Sequence, residues 1–168
     1  MLIDKLHQEA HVWFSTPESV QDNEVLQDLT ATLSNEELEK YRRLHFPADQ
    51  HRYLVSHALV RKTLSRYIDR PPADWSFSRG EHGRPEIANP GTPPLRFNLT
   101  HTVGLVGCIV TRNNDCGIDA EKITTRHATS GIAERMFSET EYRELRRLEG
   151  QESLEYFFTR WTLRESYV

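Results

Sequence analysis

Leu33-Ser34-Asn35-Glu36-Glu37-Leu38-Glu39-Lys40-Tyr41-Arg42-Arg43-Leu44 has a counterpart later in the chain, Phe137-Ser138-Glu139-Thr140-Glu141-Tyr142-Arg143-Glu144-Leu145-Arg146-Arg147-Leu148. The two stretches align at a constant offset of 104 residues (138 minus 34), with the serine, the second glutamate and the Arg-Arg-Leu ending at matching places. In each, a serine followed three residues later by a glutamate is a capping box. Leu33 with Leu38, and Phe137 with Tyr142, occupy the staple positions on either side of it. Each stretch therefore predicts an amphipathic helix with a defined start, and the shared offset predicts an internal duplication.

Working outward, Pro47 opens a longer helical pattern through Leu54, Ala58, Leu59, Leu64 and Ile68 that Pro71 and Pro72 cannot continue. The period then changes. Trp75 and Phe77 alternate, then Leu95, Phe97 and Leu99, then an apolar run reaches from Leu105 to Val110, and these read as antiparallel strands. Asn113-Asn114-Asp115 predicts a turn, and Cys116, Ile118 and Ala120 alternating with Gly117, Asp119 and Glu121 predict one more strand. His11–Phe14 reads as a short strand, and residues 16–27 as loop or weak helix. The whole is an α+β protein of two lobes, the first covering residues 1–112 and the second residues 113–168. Counterparts of the strands in the first lobe would fall beyond Val168, so the second lobe is expected to lack its carboxyl-terminal sheet and the chain to be truncated.

Composition excludes several classes. With 168 residues and only Cys108 and Cys116, the chain is no disulfide scaffold, and a reducing, cytoplasmic setting is expected. The first 15 residues carry Asp4, His7, Glu9 and His11 without an apolar run, so neither a signal peptide nor a membrane span is expected. A net charge of -4 argues against a nucleic-acid partner. Lys40, Arg42, Arg43, Arg52, Arg61, Lys62 and Arg66 nevertheless cluster in one region, suited either to a solvated helix face or to a polyanion or acidic partner.

Asp119 and Glu121, two apart on the expected strand, would project from one face as a pair of hard oxygen ligands of the kind that Mg2+ takes. On the last helix Leu154, Phe157, Phe158 and Trp161 form an apolar stripe, and its continuation brings Arg164, Glu165 and Val168 to the same face. A carboxylate there needs a cation. Either Arg164 or a metal shared with Asp119 and Glu121 would supply it. His101 lies at a strand end before Gly104, and Glu81-His82-Gly83-Arg84-Pro85 makes a tight turn whose arginine suits a phosphate.

The ordered set Gly83-Arg84-Pro85, Phe97-Asn98-Leu99-Thr100-His101-Thr102, Gly117-Ile118-Asp119-Ala120-Glu121 and Trp161-Thr162-Leu163-Arg164-Glu165-Ser166 resembles the motif series of the two-lobed, surfactin-type 4'-phosphopantetheinyl transferases. Arg84 and Arg164 stand where that family usually has Lys, and Thr100 and Thr102 where it usually has Ser. The resemblance implies two pseudo-twofold-related lobes, each with helices packed on a small antiparallel sheet, and coenzyme A bound between them. It implies Mg2+ held by Asp119, Glu121 and Glu165, with Lys40, Arg52, Arg84, Thr100 and His101 on the nucleotide and its phosphates. Glu165 and His101 would be the catalytic residues, Glu165 taking the proton of a serine on an apo acyl or peptidyl carrier protein. The implied enzyme is a monomer that releases 3',5'-ADP. The alternative expectation is a catalytically inactive module that binds coenzyme A or the carrier protein.

Overall fold

The computed structural model describes residues 2–80, 83–125 and 130–167. Its elements follow in the order α1 (Leu2–Lys5), β1 (His11–Ser15), α2 (Asn23–Thr30), α3 (Asn35–Arg43), α4 (Pro47–Leu64), β2 (Phe77–Arg79), β3 (Pro85–Ile87), β4 (Leu95–Thr102), β5 (Leu105–Arg112), α5 (Ser130–Met136), α6 (Glu139–Leu145) and α7 (Gly150–Glu165). Helices with small antiparallel sheets make this an α+β fold, as the change of period along the sequence predicts. No helix among the described residues is long and apolar enough to cross a membrane.

Both capping boxes form. Ser34 Oγ accepts from the Glu37 amide at 3.2 Å while Glu37 Oε2 accepts from the Ser34 amide at 2.8 Å. Ser138 and Glu141 repeat the exchange at 3.3 and 2.9 Å, so α3 and α6 begin at equivalent residues.

Around α4 the apolar residues divide by helix face. Val60 and Leu64 join Leu95, Phe97, Cys108 and Val110 of the sheet in one core, and Leu54, Val55 and Ala58 join Leu29 and Leu33 in a second. The sheet has the order β1-β5-β4, antiparallel throughout, with Trp13 opposite Cys108 and Leu99 opposite Cys108 on the other side. A separate cluster of Ala133, Phe137, Leu145, Phe157 and Phe158 holds α5, α6 and α7 together. Burial pushes the Cys108 thiol up to about 12, which fits an inert core cysteine.

One buried ion pair ties these parts of the first half together. Arg61, 1% exposed, reaches from α4 to Glu37 of α3, with Nε at 2.9 Å and Nη2 at 2.7 Å from Oε2. Its Nη1 donates to the carbonyls of Pro72 at 3.0 Å and Trp75 at 2.8 Å, and its guanidinium lies 5.1 Å from the Phe77 ring centre. His57 Nδ1 sits 2.9 Å from Glu37 Oε1. Burial raises the Glu37 carboxyl, but hydrogen bonds from His57 and the Ser34 amide, with the charge of Arg61, hold it down at about 2.

Four expectations need correction. Residues 16–27 are more ordered than loop or weak helix, because Asp22 caps α2 by accepting from the Glu24 and Val25 amides at 2.8 and 3.1 Å. Trp75 precedes the strand, since its carbonyl is committed to Arg61 and its indole to Ser65 Oγ at 2.9 Å. Residues 116–121, expected as a strand, have no ladder partner. β5 is already paired on both sides by β1 and β4, and this segment crosses the outer face of the sheet, its Ala120 amide donating to Thr100 Oγ1 and Ile118 packing over Gly107. The basic cluster is not one patch: Arg61 is internal, Arg66 stacks on Trp13 at 4.5 Å, and Arg52 pairs with Asp49.

Replacing Arg61 by alanine strands a carboxylate and two carbonyls, which predicts a loss of about 3–5 kcal/mol of folding stability; urea denaturation showing less than about 1 kcal/mol would contradict this. The depressed Glu37 carboxyl adds a pH dependence. Its contribution is fully present above the ordinary carboxylate value of 4.5 and is lost as pH falls toward about 2. Glu37→Gln should therefore flatten the stability profile in that window, as read from melting temperatures at successive pH values.

Candidate functional site

The irregular segment over the sheet is placed by two small residues and one hydroxyl. Gly107 of β5 leaves room for Ile118, whose Cδ1 lies 3.4 Å from where a Cβ would stand. Thr100 of β4, buried on the same face, accepts from the Ala120 amide at 3.0 Å and donates to Asp119 Oδ1 at 3.4 Å. Asp119 is thereby fixed beside the sheet. Its Oδ2 is buried and has no hydrogen-bond partner among the described residues.

Gly117 brings in the last helix. A Cβ on Gly117 would stand 1.5 Å from the carbonyl oxygen of Ser166, so only glycine permits this approach. The contact sets the end of α7, with Glu165 as its final residue, against the segment carrying Asp119 and Glu121. Arg84 reaches the same segment, donating from Nη2 to the Cys116 carbonyl and lying 3.9 Å from Asp115.

Thr100, Asp119, Arg84 and the Glu165 end of α7 therefore meet around one segment, with Glu121 exposed at its edge. His101, exposed, follows Thr100 on β4. Two expected residues lie apart. Lys40, paired with Glu36 at 2.7 Å, lines a cleft of about 710 Å³ with Arg79, Gly83, Phe97 and Leu99. That cleft is bordered by Gly83 and Pro85, the chain neighbours of Arg84, but not by Arg84, Thr100 or Asp119 themselves. Arg52 is held by Asp49 on α4 and does not line the cleft. Of the tight turn, Glu81 and His82 lie outside the described residues, as does Val168 of the last stripe.

Of the two partners expected for Glu165, Arg164 or a metal, the first is engaged elsewhere. Glu165 is exposed, and the Arg164 guanidinium goes to Glu141 of α6 rather than to it. Helical spacing carries the stripe into the last turn, but α7 ends there at Glu165 and its buried residues are Phe157 and Phe158, further back along the helix. No three His, Cys, Asp or Glu side chains form a ready metal cage among the described residues. The unpartnered, buried Asp119 Oδ2, beside Glu121 and the Glu165 turn, is a hard-oxygen donor set that fits a Mg2+ ion completing its shell with water and phosphate. Sequence reasoning missed Arg79, a cation inside the cleft, and the role of Gly117; both depend on long-range approach that no local pattern encodes.

Residues 19–112 match the family model described as "4'-phosphopantetheinyl transferase, N-terminal", and residues 115–168 match the "4'-phosphopantetheinyl transferase superfamily". The chain is 32% identical over 167 residues to the 4'-phosphopantetheinyl transferase HetI of Nostoc sp., covering 97% of this chain and 68% of that protein. It is 34% identical over 157 residues to the 4'-phosphopantetheinyl transferase Sfp of Bacillus subtilis, covering 94% and 66%. A further relative, the 4'-phosphopantetheinyl transferase gsp of Aneurinibacillus migulanus, is 30% identical over 147 residues, 88% of this chain and 59% of that protein. The chain thus spans roughly two thirds of the length of these relatives.

Because the approach of α7 to residue 117 has no room for a side chain, Gly117→Ala should displace the helix end. Amide hydrogen exchange across residues 160–166 is expected to accelerate at least tenfold, while exchange in β4 and β5 stays unchanged. Unaltered exchange at the end of α7 would refute the contact.

Proposed function

We propose, from the premise that the chain belongs to the 4'-phosphopantetheinyl transferase superfamily, that it moves the phosphopantetheine arm of coenzyme A onto a serine of an apo acyl or peptidyl carrier protein. The observation that carries this reading is the fixed Asp119 carboxylate, with one oxygen tied to Thr100 and the other buried without a hydrogen-bond partner among the described residues, beside the end of α7.

Asp119, Glu121 and Glu165 would hold Mg2+ against the pyrophosphate. The ion, when bound, supplies charge stabilisation at the phosphate oxygens of the transition state. The protein's own groups do the remainder. Arg84, which donates to the Cys116 carbonyl and thiol and lies 3.9 Å from Asp115, can turn its fork to a phosphate oxygen. Lys40, from the cleft, and exposed His101 add positive charge or donors for the nucleotide phosphates, and Thr100 orients Asp119. Arg52 would join them only by exchanging Asp49 for a phosphate. Glu165, exposed at a helix end, is free to accept the proton of an incoming serine hydroxyl. The serine Oγ then forms a bond to the β-phosphorus, the bond from that phosphorus to the bridging oxygen breaks, and 3',5'-ADP departs with the bond's electron pair. His101, adjacent to Thr100, serves as a further catalytic group at the phosphates.

Exposure of Glu165, together with the open cleft, fits a protein-borne nucleophile that must enter from solvent. The expected enzyme acts as a monomer in the cytoplasm.

Transfer, followed as mass gain on an apo carrier protein, should cease in excess EDTA and return with added Mg2+. Asp119→Asn should lower turnover at least 100-fold while changing coenzyme A affinity, measured by calorimetry, less than threefold. Full transfer by metal-free protein, or an undiminished rate in Asp119→Asn, would overturn the reading.

A further inference from the structure

Glu141 occupies in the second half the position that Glu37 occupies in the first, and the structure gives it the same kind of partner. Glu37 is bound by Arg61, 24 residues on, from the helix after its own. Glu141 is bound by Arg164, 23 residues on, again from the helix after its own. The neighbouring positions follow. His57 and Arg160 each stand four residues, about one helical turn, before their arginines; His57 Nδ1 lies 2.9 Å from Glu37 and Arg160 Nε 3.9 Å from Glu141. Each arginine also lies over a phenylalanine ring, Arg61 over Phe77 at 5.1 Å and Arg164 over Phe137 at 5.4 Å.

The residue after each arginine differs. After Arg61 comes Lys62, exposed and outside any site described above, whereas after Arg164 comes Glu165. The Ser138 amide and hydroxyl, then Arg164, hold the Glu141 carboxyl below its ordinary range, so it is an anion where the arginine meets it. Next along α7, the Ser166 carbonyl abuts Gly117, two residues from Asp119. A continuous path therefore runs from the cap of α6 through Glu141 and Arg164 to the Glu165 turn and on to the Asp119 segment.

We propose that Glu141 and Arg164 are positioning residues, an ion pair that fixes the last turn of α7 so that Glu165 is presented to the cation held by Asp119. This rests on the metal-dependent reading above. Glu141 touches neither substrate nor metal; it acts through Arg164, and its loss is felt at the cation rather than at the nucleotide.

The test uses Mn2+ as probe, its affinity read by electron paramagnetic resonance, together with amide exchange at residues 162–166 and coenzyme A affinity in EDTA. Glu141→Gln keeps the capping box, which glutamine also forms, and removes only the charge. It and Arg164→Met should each weaken Mn2+ binding at least tenfold and accelerate exchange at 162–166, with coenzyme A affinity changed less than threefold. Arg164→Lys, which keeps the charge, should bind Mn2+ within threefold of the unsubstituted chain. Faster exchange with unchanged Mn2+ affinity would make the pair merely structural and overturn the proposal, as would no effect on either. Absence of Mn2+ binding by the unsubstituted chain would overturn the metal reading itself, and the proposal with it.

Discussion

The first half of the molecule is organised by a guanidinium that has nowhere else to go. Arg61 is 1% exposed, and desolvating it is tolerable only because Glu37 and the backbone carbonyls after Pro71 surround it. Those contacts join three pieces of chain that are distant in sequence: the start of α3, the middle of α4 and the entry to β2. With α4 fixed in this way, Val60 and Leu64 face the sheet and Leu54 and Ala58 face α2 and α3. The sheet is then positioned to present Thr100 and Gly107 on its opposite face.

On that opposite face, a segment without regular structure takes the place that a further strand might have filled. An extra strand would have paired its backbone with a sheet edge; here the Ala120 amide is satisfied by a threonine hydroxyl instead. That arrangement leaves Asp119 close to the sheet with one oxygen unpaired among the described residues, and the absence of a Cβ at residue 117 lets the end of α7 approach. The site is thus made where a β-sheet and a helix end meet across an irregular connection. Such connections carry function more readily than regular elements do.

Much of this was legible in the sequence where the signal is local. The capping boxes at Ser34 and Ser138, the proline that opens α4, the alternation in β4 and the apolar run of β5 are local signals, and the structure has each element there. Where tertiary competition decides, the reading failed. Residues 116–121 alternate as a strand does, but no sheet edge on β5 is free to receive them. Arg61 reads as one member of a basic run until α3 is known to bring Glu37 to it. Of the two cations expected for Glu165, Arg164 or a shared metal, the arginine reaches Glu141 instead, because adjacent side chains on a helix diverge. The motif residues Thr100, Asp119 and Arg84 do converge on one segment, whereas Arg52 stays with Asp49.

The central claim is a group transfer with a defined leaving group, and its stoichiometry tests it most directly. An apo carrier protein is incubated with the chain, Mg2+ and coenzyme A, the product is mapped by peptide mass spectrometry, and 3',5'-ADP is quantified by chromatography. The account predicts phosphopantetheine on a single serine and one 3',5'-ADP released for each carrier modified. Coenzyme A that remains intact beside an unmodified carrier, or 3',5'-ADP released without carrier modification, would contradict it.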